Sequence, residues 1–377
     1  MFEADSMVKR FHVDNFRCLI NFEVELDELN LFLGPNGSGK TSVLDALRRL
    51  QAVITRDAKV DAVFGANDLS FALNSNEQRF ELDLETDGGL YQYGLSIEHH
   101  MDRRRMKIME ETLLHAGRPI FSFADGIAQL YHDDYTEGPK APFDWSRSGV
   151  GVLNERPDNK RLTRFKREIA RFVIASPCPP IFEHEARKED EFLDRWMGNF
   201  VGWYRHAAQE NMRGIAKLFP ALAEALPGFD SMSLTEAGEN VRALKVDFAR
   251  DTDDRRRVDR YRFRQLSDGQ KALVALYSLI FLAPHGRASL FLDEPDNYLA
   301  LREVQPWFAA LAESCGDTIE QAVIVSHHPI TIDYLAGGKG RWFHRDGTGP
   351  ARVAEQPQSV HEGLSLSETI ARGWDRP

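Results

Sequence analysis

Cysteine is scarce in this chain: three in 377 residues. Cys18, Cys178 and Cys315 stand too far apart for a disulfide framework or a cysteine-ligated metal centre. A reducing cytoplasm is the expected setting. No apolar run is long enough to cross a bilayer, and no charged-then-apolar segment opens the chain, so no membrane partner is expected. The opening MFEADSM reads as a short acidic leader, with Met7 as an alternative start. An excess of positive charge is lacking too. The formal balance is −11, which excludes electrostatic coating of nucleic acid by the whole surface. It leaves room for a local basic patch, and DRRRMK (102–107) and RDTDDRRRVDRYRFR (250–264) are the two candidates. The second is interleaved with Asp251, Asp253, Asp254 and Asp259, so the plainer reading of both is a solvated hairpin end. Internal repeats and sustained heptads are also missing, which excludes a solenoid and a long coiled-coil arm.

What is present is an ordinary globular mix, 42% hydrophobic and 28% charged, in a chain long enough for two or three domains. The first 50 residues read as strand, glycine-rich turn and helix. Phe22, Val24 and Leu26 alternate with polar residues, and LNLFL (29–33) is a short buried-strand run stopped by Gly34-Pro35. Val43, Leu44, Leu47 and Leu50 then recur at helical spacing. RFELDLET, LYQYGLSIE, MKIMEETLLHAG and RPIFSF suggest antiparallel hairpins from about 60 to 135. Residues 133–160, rich in Gly, Pro and Asp, read as loop. Beyond them helix is expected to dominate, with Phe192, Trp196, Phe200, Tyr204 and Ala207 as a core stripe rather than a ligand cage. ALVALYSLIFLA is apolar on every face and should be a buried helix. SLFLDEP and QAVIVSHHP each read as an apolar strand ending in polar residues, as at the carboxyl edge of a mostly parallel sheet.

Three of those polar ends carry chemistry. GPNGSGKT, residues 34–41, fits the phosphate-loop pattern at every position and has a strand before it and a helix after it. Such glycines let successive amides and a positive helix end point at a phosphate. The candidate ATP-binding residues are therefore Asn36, Gly37, Ser38, Gly39, Lys40, Thr41 and Ser42. Lys40 would supply charge to the β- and γ-phosphates, and the Thr41 hydroxyl would ligate Mg2+. In LFLDEP, Asp293 ends an apolar strand where it could hold the same Mg2+, and Glu294 is the candidate general base for the attacking water. In VIVSHHP a histidine could bond the γ-phosphate or that water. The His doublet has no acid or cysteine beside it, so a metal site there is not expected.

Phosphate loop, LSDGQ (266–270), Asp-Glu strand and His strand, in that order, resemble the ATP-binding-cassette ATPase set. LSDGQ looks like that family's signature, usually Leu-Ser-Gly-Gly-Gln, with Asp268 in the first glycine position. The resemblance implies that two copies pair head to tail as a homodimer. Ser267, Gly269 and Gln270 of one copy would then cap the ATP held by the other. VKRFHVDNFRCL together with LNLFLGPNGSGKTSVLDAL further resembles the RecF, structural-maintenance-of-chromosomes and OLD-type ATPases. On that likeness His327 is the switch histidine and His328 a neighbour. The resemblance covers 7–57 and about 258–345 well, and 175–250 loosely. No long coiled coil is present, and residues 349–377 lack a clustered acidic metal site of nuclease type. The family's glutamine switch has three candidates, Gln51, Gln78 and Gln92.

The implied fold is an α/β ABC-ATPase head: a P-loop NTPase with a mixed, mostly parallel sheet flanked by helices, an antiparallel β subdomain and an inserted helical region. The expected layout is an N-terminal lobe at 7–60, hairpins at 61–135, a mostly helical insertion at 136–257, a C-terminal lobe at 258–348 and a tail at 349–377. The expected function is an ATPase that dimerises on ATP and controls a separately encoded effector, a nuclease or toxin, in phage defence or the DNA-damage response. The alternative is a DNA-binding maintenance or repair ATPase. A transporter subunit fits least, because about 230 residues separate Lys40 from Ser267, far more than transporter ATPases carry.

Overall fold

The computed structural model describes residues 6–100, 105–252, 255–282, 287–354 and 364–372. The chain divides into two compact units, Met1–Phe172 with Gly338–Pro357, and Val173–Gly337 with Gln358–Pro377.

The first unit begins with β1 (Ser6–Asp14), β2 (Phe22–Glu25) and β3 (Leu29–Leu33), followed by α1 (Lys40–Thr55) and the single turn α2 (Val60–Val63). Next come β4 (Glu77–Thr86), β5 (Gly89–His100), β6 (Arg105–His115), β7 (Arg118–Ala124), β8 (Ile127–Tyr131) and β9 (Glu137–Pro142). They form one antiparallel sheet of eight strands, ordered β2-β1-β4-β5-β6-β7-β8-β9. Alternation makes it one-sided: Phe80, Leu82 and Leu84 of β4 and Tyr91 and Tyr93 of β5 are buried, while their neighbours reach solvent. Against this face packs α4 (Lys160–Ala170), which follows the short α3 (Gly149–Val152). The ring of Phe165 lies 5.7 Å from Tyr91 and 5.6 Å from Tyr93. The loop expected over 133–160 therefore contains β9 and α3. Pro139 and Pro142 confine β9 to the sheet edge, where a missing N–H costs least.

In the second unit the insertion expected to be mostly helical is mixed. It holds α5 (Phe200–Glu210) and α6 (Met212–Ala225), but also β10 (Phe172–Ala175), β11 (Glu185–Ala186), β12 (Phe229–Gly238), β13 (Val241–Thr252) and β14 (Arg255–Arg262). β12 and β14 flank β13, all antiparallel. The aromatic stripe begins outside a helix. The Asp194 carboxylate accepts from the amides of Trp196, Gly198 and Asn199, and Met197 takes φ +58°, so the chain turns there and helix starts only at Phe200. Phe200 still enters the core, with Phe182 at 5.8 Å and Phe263 at 5.6 Å.

After β14, α7 (Asp268–Phe281) is buried from Lys271 through Ile280 without a break. A helix apolar all round has no face to give to solvent. β15 (Ala288–Asp293) and β16 (Ile319–Val325) run parallel, joined by α8 (Leu301–Ser314), and α9 (Pro329–Lys339) follows. The chain then returns to the first unit with β17 (Gly340–His344), parallel to β3, and β18 (Arg352–Ala354), antiparallel to β17. Last comes α10 (Leu366–Ala371). Both units thus show α/β architecture with parallel strand pairs whose ends carry the motifs.

Candidate functional site

In the first unit the phosphate loop leaves β3 through three left-handed glycines, Gly34 (φ +135°), Gly37 (φ +79°) and Gly39 (φ +109°). A side chain at Gly34 would run into the Phe343 carbonyl, and a Cβ at Gly39 would stand 2.9 Å from Ala351 Cβ. Around Gly37 the space is open. The loop is thus pinned at its base and clear at its crown, where Asn36, Gly37 and Thr41 are exposed. α1 starts from Gly39 with no side-chain cap and no acid in its first turn, so its positive end is left for an anion. Lys40 is buried and folds back over the loop. Its Nζ donates to Gly34 O at 2.7 Å and Pro35 O at 3.0 Å, and lies 3.5 Å from Ser38 Oγ. These features fit a polyphosphate: an uncapped helix start and a buried cation lie at one open loop.

One turn on, Asp45 anchors α1. Burial pushes its carboxyl up, but the Arg48 hydrogen bond and the charges of Arg49 and Arg17 outweigh that and hold it below the usual range. Arg17 Nη2 lies 2.7 Å from Asp45 and 3.3 Å from Asp68, and Arg49 Nη1 lies 2.5 Å from Asp68. Two of the glutamine candidates are engaged elsewhere. Gln51 donates to Ile169 O and Phe172 O. Gln78 donates to Asn15 O and Asp68 O and accepts from His99 Nε2 at 2.8 Å. Gln92 stands on β5 opposite Asp83.

The second unit holds the other three motifs. β15 ends at Asp293, and Glu294 takes φ +49°, a strained value for a residue with a side chain. Its amide donates to Val325 O at 2.8 Å, and its Oε2 accepts from Asn297 Nδ2 at 2.6 Å. The other oxygen, Oε1, lies 4.0 Å from His327 Nε2. His328 turns to its own chain, its Nδ1 accepting from the Ile330 amide. Beneath them sits Asp296, which the sequence reading passed over. One of its oxygens accepts from both Ser326 Oγ and Thr331 Oγ1, each at 2.6 Å. Ser326 Oγ also accepts from the His328 amide at 3.0 Å. The segment after β15 and the segment after β16 are thereby tied together. The available signal was Asp-Asn following LDEP, two more polar residues at the same strand end.

LSDGQ is the start of α7. Ser267 Oγ accepts from the Gln270 amide at 3.3 Å, and Gln270 Oε1 accepts from the Ser267 amide at 3.0 Å, a reciprocal cap. Ser267 is exposed, and Lys271 Nζ reaches Asp268 at 3.0 Å. A Cβ at Gly269 would lie 3.1 Å from Tyr298 O, so the signature turn packs closely on the segment after Glu294.

Two family models match the chain. One, described as "AAA ATPase domain", matches residues 7–116, and the other, described as "AAA domain, putative AbiEii toxin, Type IV TA system", matches residues 142–333, about half of the chain. The chain belongs to this AAA-domain ATPase family. The order of its motifs resembles that of the ATP-binding-cassette-type ATPases of the RecF, SMC and OLD class. A 41-residue stretch is 49% identical to an OLD nuclease of Thermus scotoductus; it spans 11% of this chain and 8% of that relative. The SMC head domain from Thermotoga maritima aligns with TM-score 0.47 at 16% identity, over 94% of this chain and 99% of that one. The SMC head bound to the C-terminal winged-helix domain of ScpA aligns with TM-score 0.48 at 14% identity, over 96% and 99%.

Among the described residues of this ATPase, no His, Cys, Asp and Glu group of three or more could hold a metal by itself. No described helix is long and apolar enough to cross a membrane. Arg103 and Arg104 lie outside the described residues, as do the side chains of Arg255 and Arg256. Arg257 is described and pairs with Asp259 at 3.2 Å.

Proposed function

We propose that this ATPase binds ATP with Mg2+, hydrolyses it, and uses the bound state to pair two copies head to tail and control a separately encoded effector. The observation that carries the reading is the phosphate loop, with three left-handed glycines, an uncapped helix start and Lys40 folded over its carbonyls. On binding, Lys40 Nζ exchanges the Gly34 and Pro35 carbonyls for phosphate oxygens. The Thr41 hydroxyl and the Asp293 carboxylate are the proposed Mg2+ ligands, from their places in the two motifs. The ion, when bound, offsets charge on the β- and γ-phosphates. Glu294 accepts the proton of the attacking water while Asn297 holds its second oxygen, and His327 adds a hydrogen bond to water or γ-phosphate. Exposed Ser267 and half-buried Gly269 and Gln270 would supply an amide-rich helix start for the second copy's ATP.

The effector reading draws support from two likenesses: one matched family is described as a putative toxin of a type IV TA system, and the OLD relative is a nuclease by name. Such an effector would act in phage defence or the DNA-damage response, inside the cytoplasm. Duplex DNA is the second reading. Arg250 and Arg257 extend from the β13–β14 ribbon and are 69% and 75% exposed, though both share Asp259. Turnover that DNA stimulates in a salt-sensitive way would favour it.

Two variants test the core. Lys40→Ala should abolish ATP binding. Glu294→Gln should keep binding while slowing turnover about 10²- to 10⁴-fold, and should accumulate the ATP-bound dimer. Full turnover by Glu294→Gln would remove Glu294 as the base.

A further inference from the structure

In the second unit a cleft of about 370 Å³ opens where the β13–β14 ribbon leaves the core, and no motif assigns it a role. That volume lies at the small end of the roughly 300–1,000 Å³ typical of ligand sites. β12 reaches β13 no further than Phe248, while β14 continues to pair with it through Thr252. Side chains alternate along β13, so the face that is core at Leu244 and Val246 emerges from the core at Phe248 and Arg250. β14 brings Asp259 and Tyr261 to the same face. The rings of Phe248 and Tyr261 meet edge to face at 5.7 Å and form an apolar floor.

The polar groups around this floor are mostly donors. Gln265 Oε1 accepts from the Arg262 amide at 2.8 Å, and Gln270 Oε1 accepts from the Ser267 amide at 3.0 Å. Only an oxygen can take a backbone N–H, so each of these bonds fixes which end of its carboxamide is the NH2 group. Neither Nε2 has a partner among the described residues, and both glutamines line the cleft. Arg250 adds an exposed guanidinium, 3.4 Å from Asp259. Asp259 also faces Arg257 at 3.2 Å. Two arginines on one carboxylate leave a single positive charge, which a carboxylate matches better than a phosphate dianion does.

We propose that this cleft binds a carboxylate borne on an apolar group, as in an acidic peptide segment or a small organic acid. The carboxylate accepts from Arg250 and from the amide groups of Gln265 and Gln270, and the apolar group lies on Phe248 and Tyr261. Leu266 and Gln270 belong to the signature turn, so a ligand here touches both the ribbon and that turn. Binding needs neither ATP nor a second copy, and the site stands apart from the reading above.

The test is an NMR titration of the full chain, without nucleotide, with acetyl-Phe-Glu-amide, its uncharged counterpart acetyl-Phe-Gln-amide, 3-phenylpropionate and inorganic phosphate. The glutamate peptide should bind about 10- to 100-fold more tightly than the glutamine peptide, the contribution of a hydrogen bond between charged groups. Arg250→Gln should remove that preference, and Arg250→Lys should keep part of it. Arg262→Gln makes the same charge change on the opposite face of the ribbon and should leave the preference intact. Arg250 and Arg262 are both exposed, so loss of fold does not confuse the comparison. A glutamate peptide that outcompetes 3-phenylpropionate assigns the site to a protein segment, and the reverse order assigns it to a free acid. Equal binding of the two peptides, no binding of any carboxylate, or phosphate bound in preference to them overturns the proposal. A preference that survives Arg250→Gln overturns it too, and so does one lost equally in Arg262→Gln, which marks attraction by net charge alone. None of these outcomes touches the phosphate loop, since no nucleotide is present.

Discussion

Asp296 is where one substitution should loosen together the two segments that carry the proposed catalytic residues. Its carboxylate is 3% exposed and bonds the hydroxyls of Ser326 and Thr331, both wholly buried. Asp296→Ala deletes two hydrogen bonds to a charged acceptor, each contributing about 1.5–3 kcal/mol, and leaves two buried hydroxyl donors without that acceptor. The two bonds share one oxygen, and Ser326 Oγ keeps its bond from the His328 amide. The losses therefore overlap, and a net cost near 3 kcal/mol is expected. In a cooperative unit of this size each kcal/mol moves Tm by about 2–4 °C. Scanning calorimetry should accordingly show the transition lowered by roughly 6–12 °C. Asp296→Asn keeps one acceptor oxygen without the charge and should lose about half as much. ATP turnover should fall with stability, about 10- to 100-fold, because this carboxylate ties together the segments that carry Glu294 and His327, the proposed base and switch histidine. A Tm within 2 °C of wild type together with unchanged turnover would refute the reasoning.

Ser267→Arg places a long cation on the exposed signature turn; ATP binding by the single copy should persist while light scattering shows no ATP-dependent pairing. Acid should destabilise the fold before its carboxylates titrate. Burial lowers the pKa of His99, His115 and His184 from the ordinary 6.5. The unfolded chain then takes up protons that the fold resists, and stability present above pH 6.5 is lost as pH falls through that value. The urea midpoint should drop between pH 7.5 and 5.5, and His99→Gln, which can still donate to Gln78, should drop less. A midpoint that rises on acidification would contradict the sign.

The candidate motifs of this protein were legible along the chain because each is contiguous. A phosphate loop needs only its own glycines, a lysine and the flanking strand and helix, and all lie within residues 29–55. LSDGQ, LDEP and SHHP are likewise strand or helix ends, readable from the apolar run beside them. The buried character of α7 followed from a run with no polar face. The helix limit at Phe200 did not, because it depends on Asp194 gathering three amides, and β9 was hidden by its prolines. The glutamine candidates could not be ranked from sequence; only packing revealed that Gln51 and Gln78 bind backbone carbonyls.

The sequence by itself determined which residues are the candidates for phosphate, magnesium and water, since those candidacies follow from residue type and immediate neighbours. Tertiary structure decided what residues far apart in the chain do for one another. It set Asp296 to join the ends of β15 and β16, and it brought Phe248 and Arg250 of β13 to one cleft with Gln270 of α7. No local pattern encodes such pairings, because they exist only once the strands that carry them have packed.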